Sequence, residues 1–242
     1  MPRSWQSEEV THEAIDEPRG LHIAPRTVAQ IRELERRTME TVPEATLMAR
    51  AARAVADEIA ATLADTHHGV RGARVAILAG SGNNGGDALL AGALLAVEGA
   101  NVVAIAVGGR LHESSADILR SAGGIVTFAE SDGDLLAATE VVIAADVVID
   151  GIVGLGARPG LRSPADRLVS AIPDEALVVA VDLPSGLDAD SGAADSHHVE
   201  ADVTVTFTAP KMCLVTAPAS HAAGRVVIAD VGVSLEDATE RR

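Results

Sequence analysis

The 242-residue sequence predicts an α/β fold: a doubly wound, mainly parallel sheet with helices on both faces. Three observations carry that prediction. From Arg74 onward, short apolar runs alternate with amphipathic segments, as strands alternate with helices around a parallel sheet. The runs are continuously apolar rather than apolar on every second residue, so both faces of each strand require cover. Hydrophobic residues make up 48% of the chain and aromatics only 1%, so the core must be assembled from Ala, Val, Leu and Ile. Such small aliphatic side chains suit strands sandwiched between helices.

The elements follow in order. Residues 1–26 read as a polar tail interrupted by Pro2, Pro18 and Pro25. A helix is expected from Thr27, which has capping-box spacing to Gln30 and is followed by Val28, Ile31 and Leu34 at helical intervals. Pro43 breaks the chain before a second helix over 44–63, whose apolar stripe is Leu47, Met48, Ala51, Ala52, Val55 and Ile59. This helical pair precedes the sheet. Strands are expected at 75–79, 102–107, 125–128, 147–149, 178–181, 203–207 and 226–228, with helices at 87–98, 114–122, 132–138 and 163–172. The last two strands lack a long helix between them, which makes that edge irregular. The domain is expected over 27–235, with polar ends at 1–26 and 236–242 and no internal repeat.

Charge and composition narrow the function. A formal net charge of −16 repels phosphate backbones and anionic lipid, which argues against nucleic acid and membrane surfaces as partners. An anionic ligand would need a local site built from backbone N–H groups, a bound cation or a few placed bases. Cys213 is the single cysteine, so no internal disulfide can form. The first twenty residues lack an apolar core of the secretory type, and no uncharged apolar run reaches spanning length. A cytoplasmic protein is expected. The adjacent pairs His67–His68 and His197–His198 lie in polar loops and read as solvated rather than as zinc ligands.

Ligands of such sheets bind at the carboxyl ends of the strands, and four loops there are unusual. The first is Gly80-Ser81-Gly82-Asn83-Asn84-Gly85-Gly86-Asp87, between a strand and a helix. Its glycines permit close backbone approach, and the helix start offers free N–H groups to a phosphate. Asp87 is placed near that start, where it can cap N–H groups or bind ribose hydroxyls. The spacing matches neither the usual dinucleotide fingerprint nor a Walker loop. The second loop, from Asp150 through Gly151, Gly154 and Gly156 to Gly160, again pairs an acid at a strand end with several glycines. The third is Asp182-Leu183-Pro184-Ser185-Gly186, in which Asp182 follows a buried run and is placed to act as general acid or base. The fourth is Thr206-Phe207-Thr208-Ala209-Pro210-Lys211, ending in the only lysine of the chain. That lysine can neutralise a phosphate or a site carboxylate; alone, it equally fits a surface position.

Together these loops resemble the YjeF N-terminal domain family, the NAD(P)H-hydrate epimerases, over about residues 27–233. The family's GxGNNGGDG, DallGtG, DxPSG and TFxxPK motifs are matched by residues 80–88, 150–156, 182–186 and 206–211, and its LMExAG by 47–52. The resemblance implies a Rossmann-like fold and an isomerase that interconverts the R and S epimers of NADHX and NADPHX, the hydrated reduced nicotinamide nucleotides. It implies substrate contacts from Asn83, Asn84, Gly85, Gly86 and Asp87, from Gly154, Leu155, Gly156, Ala157, Arg158, Pro159 and Gly160, and from Asp182. It further implies a potassium ion held by Asn84, Asp150 and Ser185. Asp182 is the expected catalytic residue, with Lys211 as a supporting charge. A separate NAD(P)H-hydrate dehydratase is expected to complete repair, since no dehydratase sequence follows Val233, and a homodimer is the family's common state. The sequence departs from the pattern at Ala88 and Ala52, where Gly is usual, at Glu35, where Asp is usual, and at Leu155, which removes a Thr hydroxyl.

Other readings remain open at this level. A non-catalytic nucleotide or ADP-ribosyl binding module on the same fold would keep the pocket without the turnover. An NAD-dependent dehydrogenase would want G-x-G-x-x-G and an acid ending the second strand, where this chain has Val107-Gly108-Gly109.

Overall fold

A computed structural model describes residues 23–64, 69–155, 159–194 and 197–235. The tail up to residue 22, the C-terminal residues 236–242, His67 and His68 lie outside the described residues, as do Gly156, Ala157 and Arg158.

The chain opens with α1 (Val28–Thr38) and α2 (Glu44–Ala64). The capping box forms as expected: the Thr27 hydroxyl accepts the Gln30 N–H, and the Gln30 side chain accepts the Thr27 N–H at 2.9 Å. There follow β1 (Arg74–Ala79), α3 (Asn83–Val97), β2 (Asn101–Ala106), α4 (Glu113–Ser121), β3 (Ile125–Phe128), α5 (Asp132–Ile143) and β4 (Val147–Gly151). The chain continues through α6 (Ala165–Val169), β5 (Leu177–Val181), β6 (Val203–Phe207), α7 (Met212–Val215), a 3-10 turn at Ala219–Ala223 and β7 (Arg225–Ala229).

Seven strands form one sheet in the order β3-β2-β1-β4-β5-β6-β7, and every adjacent pair is parallel. The doubly wound, Rossmann-like prediction holds, including a final β6–β7 crossover built from two short turns. Alternate residues of each central strand face opposite layers. Val75, Ile77 and Ala79 join the cluster beneath α2, α3 and α4, while Ala76 and Leu78 join the one beneath α5 and α6. A third cluster, around Leu183, Leu187, Cys213 and Leu214, packs the loops beyond β5 and β6.

Two helices differ from expectation. α6 has five residues, shorter than the stretch 163–172 suggested. α3 begins at Asn83, not Asp87, so the Asn-Asn-Gly-Gly-Asp run is the first turns of a helix and Asp87 does not cap its start. Glycine disfavours helix by ~1 kcal/mol per residue, which hid this start in the sequence. The tertiary structure requires the glycines there: a Cβ at Gly85 would collide with the Gly80 carbonyl, and one at Gly86 with the Met48 side chain of α2.

The strand order reverses between β1 and β4. From β1 the chain winds outward through β2 and β3, then returns to lay β4 on the other side of β1. The loops leaving β1 and β4 therefore diverge into helices on opposite faces, and a crevice opens between them.

Candidate active site

The crevice is a cleft of about 330 Å³ at the carboxyl ends of β1, β4 and β5. Its walls include Gly82, Asn83, Asn84, Gly85 and Asp87 from the start of α3, Val153, Gly154 and Leu155 from the β4 loop, and Asp182 beyond β5. α1 adds Arg32 and Glu35, and α2 adds Glu44 and Met48. Gly80 permits the close approach of the two loops: its N–H donates to the Gly151 carbonyl at 3.0 Å, and a Cβ there would strike the Ile152 carbonyl. α3 is capped by Gly82 without a side-chain hydrogen bond, so its first N–H groups are open to a ligand.

Asp182 and Lys211 form a buried ion pair, with the Asp182 residue 3% exposed and Lys211 1% exposed. The lysine ammonium also donates to Thr206 Oγ1 at 2.9 Å and to the Phe207 carbonyl at 3.1 Å. Asp182 Oδ1 accepts the Thr206 hydroxyl at 3.1 Å as well. Lys211 is thus no surface residue, and it lies behind the cleft wall with all three donors directed at acceptors. It orients a carboxylate rather than meeting a phosphate. Asp182 has φ 72°, a left-handed conformation costly for a residue with a Cβ, and this places its carboxyl at the cleft.

Asn84, Asp150 and Ser185 also come together, behind the β4 loop. Asp150, 1% exposed, accepts the Ser185 N–H at 2.7 Å and the Ile152 N–H at 3.2 Å. The Ser185 hydroxyl accepts the Val153 N–H at 3.0 Å, and the Asn84 amide donates to the Val181 carbonyl at 2.7 Å. Burial pushes the Asp150 carboxyl up to about 6, with the Ser185 and Ile152 N–H groups opposing. These hydrogen bonds come only from neutral groups. A buried carboxyl, a hydroxyl, a side-chain amide and the Val153 carbonyl make an oxygen-rich cluster that suits a hard monovalent cation.

Of the other expected contacts, Gly86 faces Met48 and His112 rather than the cleft, and Pro159 and Gly160 do not line it. The Gly160 N–H instead donates to the Gly186 carbonyl at 2.8 Å. Arg26, expected in the tail, bonds Pro210 through its N–H at 2.9 Å and bridges to Lys211. The His197 carbonyl accepts the Leu161 N–H at 2.7 Å, a structural contact. Among the departures, Ala88 packs against Gly151, and Ala52 is a buried residue of α2 within the core cluster that α2 shares with α3. Leu155 keeps a role through its backbone, its carbonyl accepting Arg32 Nη2 at 2.8 Å.

Sequence reasoning does not single out Glu44 as a site residue, and it marks Glu35 only as a position where the family pattern usually has Asp. Both line the cleft, and Glu44 accepts a hydrogen bond from the Asn83 amide at 2.8 Å. Burial, reinforced by the Asp182 charge, raises the Glu35 carboxyl above its usual range. For Glu44 the signal available in the sequence is only that it stands one turn before Met48 of the buried stripe.

Fold and cleft define a doubly wound α/β protein with a helix start open to phosphate and a lysine-anchored carboxylate at the switch point. The model of the family described as YjeF-related protein N-terminus matches residues 44–213, and the chain belongs to that family. An NAD(P)H-hydrate epimerase of Clavibacter michiganensis is 42% identical over 174 residues, spanning 68% of this chain and 75% of that protein. An NAD(P)H-hydrate epimerase of Limosilactobacillus fermentum is 37% identical over 211 residues, spanning 84% and 95%. The bifunctional NAD(P)H-hydrate repair enzyme Nnr of Mycobacterium tuberculosis is 37% identical over 211 residues, 86% of this chain but 41% of that protein. The crystal structure of yeast ynu0 shares the fold, with a TM-score of 0.69 at 22% identity over 85% of this chain and 87% of that one.

Proposed function

We propose that this protein is an NAD(P)H-hydrate epimerase, an isomerase that interconverts the R and S epimers of NADHX and NADPHX. The observation that carries the reading is the Asp182 carboxylate, buried in the cleft wall at the switch point and held in place by Lys211. The names of the epimerase relatives, aligned across most of their length, support it. Inverting a carbon that bears a hydroxyl beside the ring nitrogen needs a group that exchanges protons with the reacting centre, and Asp182 is assigned that role. The open start of α3, at Asn83, Asn84 and Gly85, is assigned to the substrate's diphosphate, together with the backbone of Gly154 and Leu155, and Asp87 one turn further along is a second substrate contact.

Asn84, Asp150 and Ser185 are assigned to a potassium ion. When bound, the ion would supply positive charge beside the diphosphate of an acidic protein. Dehydration of one epimer is assigned to another catalytic unit, as the bifunctional name of the mycobacterial relative suggests. Among the described residues no helix is long and apolar enough to cross a membrane.

The test supplies purified protein with one NADHX epimer and follows the other by chromatography. Rapid equilibration is expected, with Asp182→Asn losing most of the turnover while melting as a folded protein. Near-normal turnover in that variant would remove Asp182 from catalysis. A folded wild type no faster than the spontaneous rate would end the epimerase reading.

A further inference from the structure

The cleft holds a second buried carboxyl that the reading above uses only as a substrate contact. Asp87 stands in the second turn of α3, 6% exposed, and lines the same cleft as Asp182. Its Oδ1 is buried and has no hydrogen-bond partner among the described residues. The large majority of buried polar atoms in folded proteins are hydrogen-bonded, so an unpartnered carboxyl oxygen at the wall of a cleft marks a place for a ligand group.

The charged groups around Asp87 are mostly of its own sign. Asp182 faces it from the end of β5, Glu35 from α1 and Glu44 from α2; burial, followed by these three charges, holds its carboxyl well above the usual carboxylate range. The two nearby cations are engaged elsewhere, Lys211 with Asp182, Thr206 and Phe207, and Arg32 with the Leu155 carbonyl. His112, next to Gly86 at the start of α4, shares its Nδ1 with the Ser115 hydroxyl at 2.8 Å. Of the four carboxyl groups that line the cleft, the two most deeply buried stand in opposite settings, Asp182 ion-paired with a lysine and Asp87 left without a cation. Such a split assigns acid and base roles.

We propose that Asp87 is the proton donor of the epimerisation, acting on the same substrate for which Asp182 is the proton acceptor; the inference rests on the epimerase reading. The C–O bond of the hydroxyl-bearing carbon breaks with its electron pair on oxygen, and Asp87 protonates that oxygen so that water leaves. The lone pair of the adjacent ring nitrogen forms a C=N bond, giving a cation. Water then adds to the other face of the same carbon, its proton passes to Asp182, and the C=N electrons return to nitrogen. One water leaves and one enters, and the proton displaced from Asp87 to Asp182 is restored through solvent or by the reverse turnover. Hydroxide is a poor leaving group, and an un-ionised acid beside it is the group this step lacks without Asp87.

The experiment measures kcat, KM and oxygen exchange with NADHX for wild type and Asp87→Asn. The amide keeps the size and a hydrogen-bond donor but has no proton to transfer, so kcat should fall about 10²–10⁴-fold with KM changed little. In the wild type, kcat should decline as rising pH ionises Asp87, and the inverted product formed in H₂¹⁸O should carry ¹⁸O. A kcat near wild type in Asp87→Asn, or inversion with the original oxygen retained, overturns the proposal while leaving the epimerase reading standing. A wild type that does not interconvert the epimers overturns the reading itself.

Discussion

At the residue scale the site depends on one lysine. Lys211 is among the largest fully buried side chains of the protein, and its ammonium is shared among a carboxylate, a hydroxyl and a backbone carbonyl. Removing one member of a buried pair strands the other, which typically costs about 3–5 kcal/mol. Lys211→Met should therefore lower unfolding stability by that order in a denaturant titration. A loss below about 1 kcal/mol, the scale of an exposed pair, would contradict the buried pairing. Asp182 is legible in the sequence, because a carboxylate set directly after a buried strand is costly to desolvate unless the site uses it. Lys211 is not. A lysine after a strand is ordinary, and only the fold of the Ala209–Pro210 turn brings its ammonium back under Asp182. Positive φ at both Asp182 and Thr208, at 72° and 68°, is likewise invisible in the sequence, because residue type alone predicts the opposite.

At the element scale the informative unit is α3. Its first turns read as a loop because glycine and asparagine are poor helix formers, and intrinsic propensity is overruled there by packing. The contrast with Gly133, in the first turn of α5, makes this measurable. Gly85 has the Gly80 carbonyl where a Cβ would go, whereas at Gly133 the nearest atom is Ser131 Oγ at 3.8 Å. Gly85→Ala should destabilise by about 1–3 kcal/mol through overpacking, and Gly133→Ala should stabilise by about 0.5–1 kcal/mol through helix propensity. Thermal melting of the two variants decides it; shifts of the same sign would mean that the α3 glycines are not fixed by contact. The strands are easier to read. Their uninterrupted apolar runs have no counterpart among solvent-facing segments, and all seven expected ones form.

At the scale of the full protein, charge and the potassium assignment meet. A chain of net charge −16 repels itself when folded, and added salt screens that repulsion. Melting temperature should rise with choline chloride, a cation too large for the Asp150 cluster, and rise further when potassium chloride replaces it at equal ionic strength. The extra increment should vanish in Asp150→Asn. Coincident melting curves in the two salts for the wild type would remove potassium from the site.

Local pattern was enough to specify the α/β class, the order of strands and helices, the capped start of α1 and the four loops on which the cleft depends. These follow from periodicity, from glycine and proline placement, and from acids set directly after buried runs. Packing between distant segments was needed to establish that the sheet reverses between β1 and β4, that Glu35 and Glu44 share a wall with Asp87 and Asp182, and that Lys211 is buried. The reason is physical. Which strands become neighbours, and which charges then share a low-dielectric cleft, depends on how layers pack across distances that no local pattern records.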